Sequence, residues 1–317
     1  MRLVFMGTPD FAVPSLRMLL EEGYEVAAVV TQPDRPKGRK REMTPPPVKA
    51  FAAERGLPVL QPDKLRASEA VAQLAALQPD LIVTAAYGQI LPKSVLDLPR
   101  LGCINVHGSL LPRYRGGAPI QRSIINGETV TGVTLMYMAE GLDTGDMIAR
   151  VEVPITDEDT AGSMFGKLSA AGAALLREWL PRIVEGTAPR EAQNDSEATY
   201  APNLTREDEM IHWNVNAREV FNRVRGLNPM AGAFTFLNGE VFKVWTCRIP
   251  QGSDLMMRPE WESLDPGSVL ETGAFGIRIR TQDGSVVLTE VQPAGRKALP
   301  AAEFAKGARL APGTVLG

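Results

Sequence analysis

The chain has 317 residues, 44% of them apolar and 22% charged, with a formal net charge of −3. These proportions are those of a soluble globular protein, no apolar run approaches the roughly 20 residues of a membrane span, and the slight acidic excess gives no general case for nucleic-acid binding, so any polyanion contact must be local. Two cysteines, Cys103 and Cys247, and two histidines, His107 and His212, without Cys-x-x-Cys or His-x-x-x-His spacing, exclude a disulfide framework and predict no metal site.

The length favours two folded domains. The first residues, Met1 to Gly7, form a short buried-strand pattern ending in a turn rather than a secretory signal, which predicts a cytoplasmic protein. Apolar runs at 3–6, 25–31, 80–85, 103–107, 132–138 and 147–153 read as strands. Amphipathic stretches at 14–22, 48–55 and 68–77 read as helices, the first two opened by proline. The alternation predicts an open α/β domain with a parallel sheet covered on both faces. Thr160 is placed to cap a long Ala/Leu-rich helix reaching about residue 184. From 186 to 206 the chain is polar and broken by Pro189 and Pro202, the composition of a connector. Beyond it come a helix at 217–227 and short strands separated by Asn238-Gly239, Gly267, Gly273 and Asp283-Gly284. Ile277 and Ile279 alternate with Arg278 and Arg280, so a small β-barrel or sandwich is expected.

In open α/β sheets ligands bind beyond the carboxyl ends of the strands, and one strand ends there with Asn105-Val106-His107. Period-two alternation puts Asn105 and His107 on one side. A lone strand-end histidine is more often structural. Here a long irregular loop follows, 108–119, with three glycines and two prolines, the composition of a shaped binding surface. A second loop, 139–146, carries Asp143 between Gly141 and Gly145; alone, Asp before Thr-Gly is a common turn.

Taken together, Asn105-x-His107, the Ser109-Leu110-Leu111-Pro112 turn and the Gly141-Leu142-Asp143-Thr144-Gly145 loop resemble the folate-dependent formyltransferases. The resemblance implies that Asn105, His107 and Asp143 are catalytic and that 10-formyltetrahydrofolate is the formyl donor. It also implies a donor pocket lined by Ser109, Leu110, Leu111, Pro112, Leu142 and the loop Tyr87-Gly88-Gln89-Ile90. An amine must attack the formyl carbon through a tetrahedral adduct with negative charge on oxygen. Donors from Asn105 and His107 would each stabilise that charge by about 2.7–4 kcal/mol. His107, with an unperturbed pKa near roughly 6.5, suits the accompanying proton transfers, and the residue types alone permit either role.

The family's acceptors include nucleotide-linked amino sugars and an aminoacyl-tRNA. Arg35, Lys37, Arg39, Lys40 and Arg41, opposed only by Asp34 and Glu42, form a basic loop of the kind an RNA backbone requires. It is similar to the loop of the tRNA-formylating members, which makes methionyl initiator tRNA the expected partner. Ile211-His212-Trp213, Arg225-Gly226-Leu227-Asn228-Pro229 and Lys243-Val244-Trp245 extend the resemblance. It implies a Rossmann-like, mostly parallel catalytic domain at 1–189, a linker at 190–205 and an OB-like tRNA-binding barrel at 206–317, in a monomer. From Arg206 onward the chain carries 13 basic and 13 acidic residues, so RNA binding there would need one basic face rather than a net excess. A sugar formyltransferase is the nearest alternative; a catalytically silent RNA- or folate-binding protein is the alternative of another class.

Overall fold

Arg2–Gly7 (β1) is buried along its length, Leu3, Val4, Phe5 and Met6 all at 0% exposure, as in a strand covered on both faces. In the computed structural model, which describes residues 1–38, 41–251 and 258–317, the strands continue as Glu25–Val30 (β2), Arg35–Lys37 (β3), Glu42–Thr44 (β4), Val59–Leu60 (β5) and Leu81–Ala85 (β6), then Cys103–His107 (β7), Val130–Tyr137 (β8) and Met147–Pro154 (β9). All but β3 and β4 form one seven-stranded sheet in the order β5-β2-β1-β6-β7-β8-β9. The helices are Val13–Glu21 (α1), Pro47–Ala53 (α2), Ser68–Ala76 (α3), Lys93–Leu96 (α4), Pro119–Ile125 (α5) and Ala161–Val184 (α6).

The sheet is parallel from β5 to β7 and antiparallel from β7 to β9. The apolar runs locate every one of these strands except the two-residue β5, but they do not carry the reversal. Parallel neighbours need a crossover of a dozen or more residues; β8 and β9 are joined by the short helix-free segment 138–146, so they pair as a hairpin. The basic stretch read as a loop also holds a hairpin, β3 with β4, with every residue of both strands exposed. No hydrophobic pattern could have announced it.

The long helix α6 packs against β7, the strand that carries Asn105 and His107. Thr160 and Ser163 cap the start of α6 reciprocally, Ser163 N–H donating to Thr160 Oγ1 at 3.2 Å and Thr160 N–H to Ser163 Oγ at 3.1 Å. Further along, α6 presses on the sheet at Gly172. A Cβ there would lie 2.6 Å from Val106 Cγ1, so only glycine lets helix and strand approach this closely.

By their contacts the residues group into two units: Met1–Pro119 with Val130–Pro154 and Phe165–Pro202, and Ile120–Thr129 with Ile155–Met164 and Asn203–Gly317. The polar stretch that reads as a connector does not run free. Met147 and Glu191 exchange backbone hydrogen bonds, as do Arg115 with Thr199 and Ala201, which places the stretch with the first unit as far as Pro202.

The second unit contains Ala217–Leu227 (α7), an antiparallel sheet of Ala233–Leu237 (β10), Glu240–Arg248 (β11), Val269–Gly273 (β12), Gly276–Arg280 (β13) and Ser285–Pro293 (β14), and then Leu299–Pro300 (β15) and Ala301–Ala308 (α8). The strand path β10-β11-β14-β13-β12 has β10 and β12 at its ends, so among the described residues backbone pairing does not close the sheet into a barrel. Asn216 caps α7 by accepting from Glu219 N–H at 2.9 Å. Val220, Val224 and Leu227 on one face of α7 join Phe242, Val244, Ile277, Ile279, Val286 and Leu288 in the core. β13 is not the half-buried strand expected: Arg280 is only half-exposed and Arg278 is buried, its Nε 2.8 Å from Ser285 Oγ and its guanidinium 4.7 Å from the Trp261 ring. Cys103 is buried and Cys247 packs against the core of its own unit; burial pushes the Cys103 thiol up to about 12. Phe242, 2% exposed and 4.9 Å from the Phe304 ring, sits at the centre of the second core. Phe242→Ala should cost about 3–5 kcal/mol, read as a lower denaturant midpoint at an unchanged m-value.

Candidate active site

His107 is the last residue of β7 and is 6% exposed. Its Nε2 lies 3.1 Å from the backbone carbonyl oxygen of Tyr114. A carbonyl can only accept, so Nε2 carries a hydrogen whether the ring is neutral or charged. Its Nδ1 faces Asp143 Oδ2 at 3.7 Å, too long for a hydrogen bond in the neutral ring and within ion-pair reach once Nδ1 is protonated. Asn105, two residues back on the same strand face, has Oδ1 2.8 Å from the Thr84 hydroxyl, which also approaches the Ile104 carbonyl at 3.0 Å. The Asn105 amide nitrogen has no protein acceptor among the described residues and is available to a ligand.

Asp143 reaches His107 from the β8–β9 segment. Its backbone has φ +51°, the left-handed region that non-glycine residues seldom adopt. The carboxylate is held by Gly116 N–H, which donates to Oδ2 at 2.8 Å. Gly116, with φ +119° and the position of a Cβ only 2.8 Å from the Ala201 carbonyl oxygen, has to be glycine to present that N–H.

The residues expected to line a donor pocket divide by burial. Ser109 is 1% exposed and its hydroxyl donates to the Arg113 carbonyl at 2.7 Å; Leu111 is fully buried against Met136 and Met147; Pro112 is buried and Leu110 half-buried. The Thr134 hydroxyl donates to the Ser109 carbonyl at 2.7 Å and accepts from Leu111 N–H at 3.0 Å. These hydrogen bonds and contacts fix the shape of the loop. Tyr87 is 4% exposed in the apolar core, where burial pushes its hydroxyl up to about 12, and its carbonyl accepts from the Thr8 hydroxyl at 2.8 Å. The Gln89 side chain is taken up by Leu65 N–H at 2.8 Å and the Pro62 carbonyl at 3.2 Å. Gly88, Ile90 at 77% and Leu142 at 52% exposure stand open to solvent. An exposed glycine backbone with exposed aliphatic side chains suits the face of a flat, partly apolar ligand.

In the basic hairpin Arg35, Lys37 and Arg41 are exposed; Arg39 and Lys40 lie outside the described residues. Asp34, at the root of the hairpin, is engaged elsewhere than on Arg35, Lys37 or Arg41. Lys49 Nζ lies 2.8 Å from both its oxygens and Gln61 Nε2 2.7 Å from Oδ1, and these hydrogen bonds, Gln61 first, hold its carboxyl below the usual range. His212 is exposed while Trp213 beside it is buried, its Nε1 donating to Thr235 Oγ1 at 3.1 Å.

Sequence reasoning does not single out Thr84, Tyr114, Gly116 or Gln193. Only Thr84, a polar residue ending an apolar strand, leaves a trace in the pattern. Among the described residues no group of three His, Cys, Asp or Glu is placed to hold a metal, and no helix is long and apolar enough to cross a membrane.

The formyl transferase family profile matches residues 1–180, and the formyl transferase C-terminal domain profile matches 203–309. A methionyl-tRNA formyltransferase of Bacillus licheniformis is 53% identical, and one of Bacillus subtilis 52%, each over 317 residues covering 100% of this chain and 98% of the relative. The chain belongs to the methionyl-tRNA formyltransferase family. It is therefore a formyl-transferring enzyme. Among solved structures, HypX from Aquifex aeolicus in complex with tetrahydrofolic acid superposes with a TM-score of 0.65 at 20% identity, over 96% of this chain and 47% of that one. The N-formyltransferase from Helicobacter canadensis, solved with folinic acid and dTDP-3-aminofucose, gives 0.65 at 20% identity, over 92% and 98%. At this identity both speak for the fold alone.

Proposed function

We propose that this enzyme takes the formyl group of 10-formyltetrahydrofolate and places it on the free α-amine of methionyl initiator tRNA, acting in the cytoplasm as a monomer. The observation that carries the reading is the identity of just over half, along the full length, to methionyl-tRNA formyltransferases. The arrangement of Asn105, His107 and Asp143 supports it chemically.

The donor supplies an activated formyl group on N10. The hydrogen bond from Nε2 to Tyr114 reserves that hydrogen, so proton exchange with substrate falls to Nδ1 of His107. A neutral His107 then has no hydrogen to offer an oxyanion. The supported sequence is attack of the amine nitrogen on the formyl carbon, transfer of its proton to Nδ1, and return of that proton to N10 as the C–N10 bond breaks. Between the two transfers the imidazolium faces the Asp143 carboxylate. Asn105, whose amide nitrogen is open, donates to the oxygen that carries the negative charge. The exposure of Gly88, Ile90 and Leu142 supports a donor surface there.

The test is formylation of initiator methionyl-tRNA, elongator methionyl-tRNA and a nucleotide-linked amino sugar side by side. Transfer to the initiator tRNA is expected. Transfer to the amino sugar and not to tRNA would sink the acceptor assignment, and donor binding without transfer to any amine would sink the enzyme reading. In the same assay, replacing Arg39, Lys40 and Arg41 with alanine should raise the KM for tRNA and leave that for the donor little changed. The slope of log affinity against log salt should fall by about 0.7–0.9 for each phosphate that the variant no longer neutralises. An unchanged slope would remove the hairpin from the RNA interface.

A further inference from the structure

We infer that Gln193 and Arg115 are positioning residues for formyl transfer, holding the Asp143 loop in register with His107. The inference rests on the reading of His107 and Asp143 as the reacting pair. Asp143 needs holding, because its backbone occupies the left-handed region and Glu140, Gly141 and Leu142 before it are exposed. Gln193 supplies the hold. Its Nε2 donates both amide hydrogens to the loop, one to the Asp143 carbonyl and one to the Gly145 carbonyl, each at 2.8 Å. Its Oε1 accepts from Arg115 Nε at 3.1 Å and Nη2 at 2.8 Å. One side chain thus makes four hydrogen bonds and joins the acidic loop to the His107 loop.

Arg115 is 2% exposed, the largest fully buried side chain among the described residues, and the carboxylate that meets it is Asp195, 2.7 Å from Nη2 and itself largely solvated. The residues flanking Arg115 make the two contacts that define the site: the Tyr114 carbonyl accepts from His107 and Gly116 N–H donates to Asp143. The same stretch is pinned from the other side, Arg115 N–H donating to the Thr199 carbonyl at 2.8 Å, Tyr114 N–H to Thr199 Oγ1 at 2.9 Å, and Ala201 N–H to the Arg115 carbonyl at 2.7 Å. Residues 191–201 are therefore a strap across both catalytic loops. Asp195 already gives Arg115 its carboxylate, so charge pairing alone does not call for a second partner at position 193. The amide is required because its other end must donate to two carbonyls, which a carboxylate cannot do.

That asymmetry makes the test. Gln193→Glu keeps an acceptor for Arg115, which Asp195 already pairs, and removes both donors to the loop; Gln193→Met removes the donors with similar bulk and no charge. The two variants, His107→Ala and the unaltered enzyme are compared for melting temperature, kcat, and KM for the folate donor and the tRNA. Positioning predicts that kcat falls by about 10- to 100-fold in both Gln193 variants, the scale of a reacting group displaced by about an ångström. Both KM values should stay within about threefold. Should Gln193→Glu keep full kcat while Gln193→Met loses it in proportion to its melting temperature, the amide serves only to balance Arg115 and the inference is overturned. It is equally overturned if both keep full kcat while His107→Ala is inactive. Near-normal transfer by His107→Ala would overturn the reading of the pair itself, an outcome distinct from either.

Discussion

His107→Ala should slow single-turnover formyl transfer by about 10²- to 10⁴-fold, the range lost when a positioned general acid–base is removed, with donor binding unchanged. The size follows from the absence of a substitute. Among the described residues the site holds one imidazole, and the attacking amine cannot pass its proton to the Asn105 amide. Donor binding should survive because the exposed surface at Gly88, Ile90 and Leu142 does not include the imidazole. The ring is buried, so the variant must first be shown to melt near the unaltered protein. Equilibrium binding of the donor and a rapid-quench measurement of transfer then separate affinity from chemistry. A variant that binds donor and still transfers at close to the normal rate would remove His107 from the mechanism.

Asp143→Asn tests the other half of the pair. The substitution leaves a side-chain oxygen to accept from Gly116 N–H, so the loop keeps its anchor. What it removes is the negative charge 3.7 Å from Nδ1. At about 4 Å a full charge pair is worth about 4 kcal/mol at an effective dielectric constant of roughly 20. Because the imidazolium exists only after the amine has given up its proton, that stabilisation belongs to the reaction and not to the bound substrates, and its loss should lower kcat by about 10³-fold. KM for both substrates should move little. A rate within tenfold of normal would show that the imidazolium does not depend on this carboxylate. Asp143→Ala, which loses anchor and charge together, should be worse than Asp143→Asn.

The parts of this site that the sequence discloses are those carried by side chains in periodic segments. Asn105 and His107 are legible because a buried strand alternates, so a polar residue two before a histidine at its end must share its face. Asp143 is legible only by likeness to a family, since Asp-Thr-Gly by itself spells a turn. The Tyr114 carbonyl and the Gly116 N–H are backbone groups, present at nearly every position, and only the folded path of an irregular loop aims two of them at a histidine and an aspartate. Gln193 is hidden for a different reason: polar residues among Pro, Asn, Asp and Ser have the composition of solvent-exposed chain, and nothing local distinguishes a glutamine that will be satisfied by four hydrogen bonds. The buried Arg115 misleads in the same way, because arginine is usually at the surface. At the level of the fold, the apolar runs place the strands, but the sense of β8 and β9 depends on whether a helix fits between them.

The family profiles stop at residue 180 and resume at 203, and the interval between them contains Glu191, Gln193, Asp195, Thr199 and Ala201. Gln193, Asp195, Thr199 and Ala201 bond back to the loop at 112–118, Gln193 also to the loop at 143–145, and Glu191 to Met147 and Arg150 at the start of β9. The seam between the two recognised modules is thus not a neutral place to cut or splice. A chimera that joins this catalytic half to a relative's C-terminal half at residue 180 would inherit a foreign strap over its own loops, whereas a junction at 203 carries the whole of 191–201 with the loops it fastens.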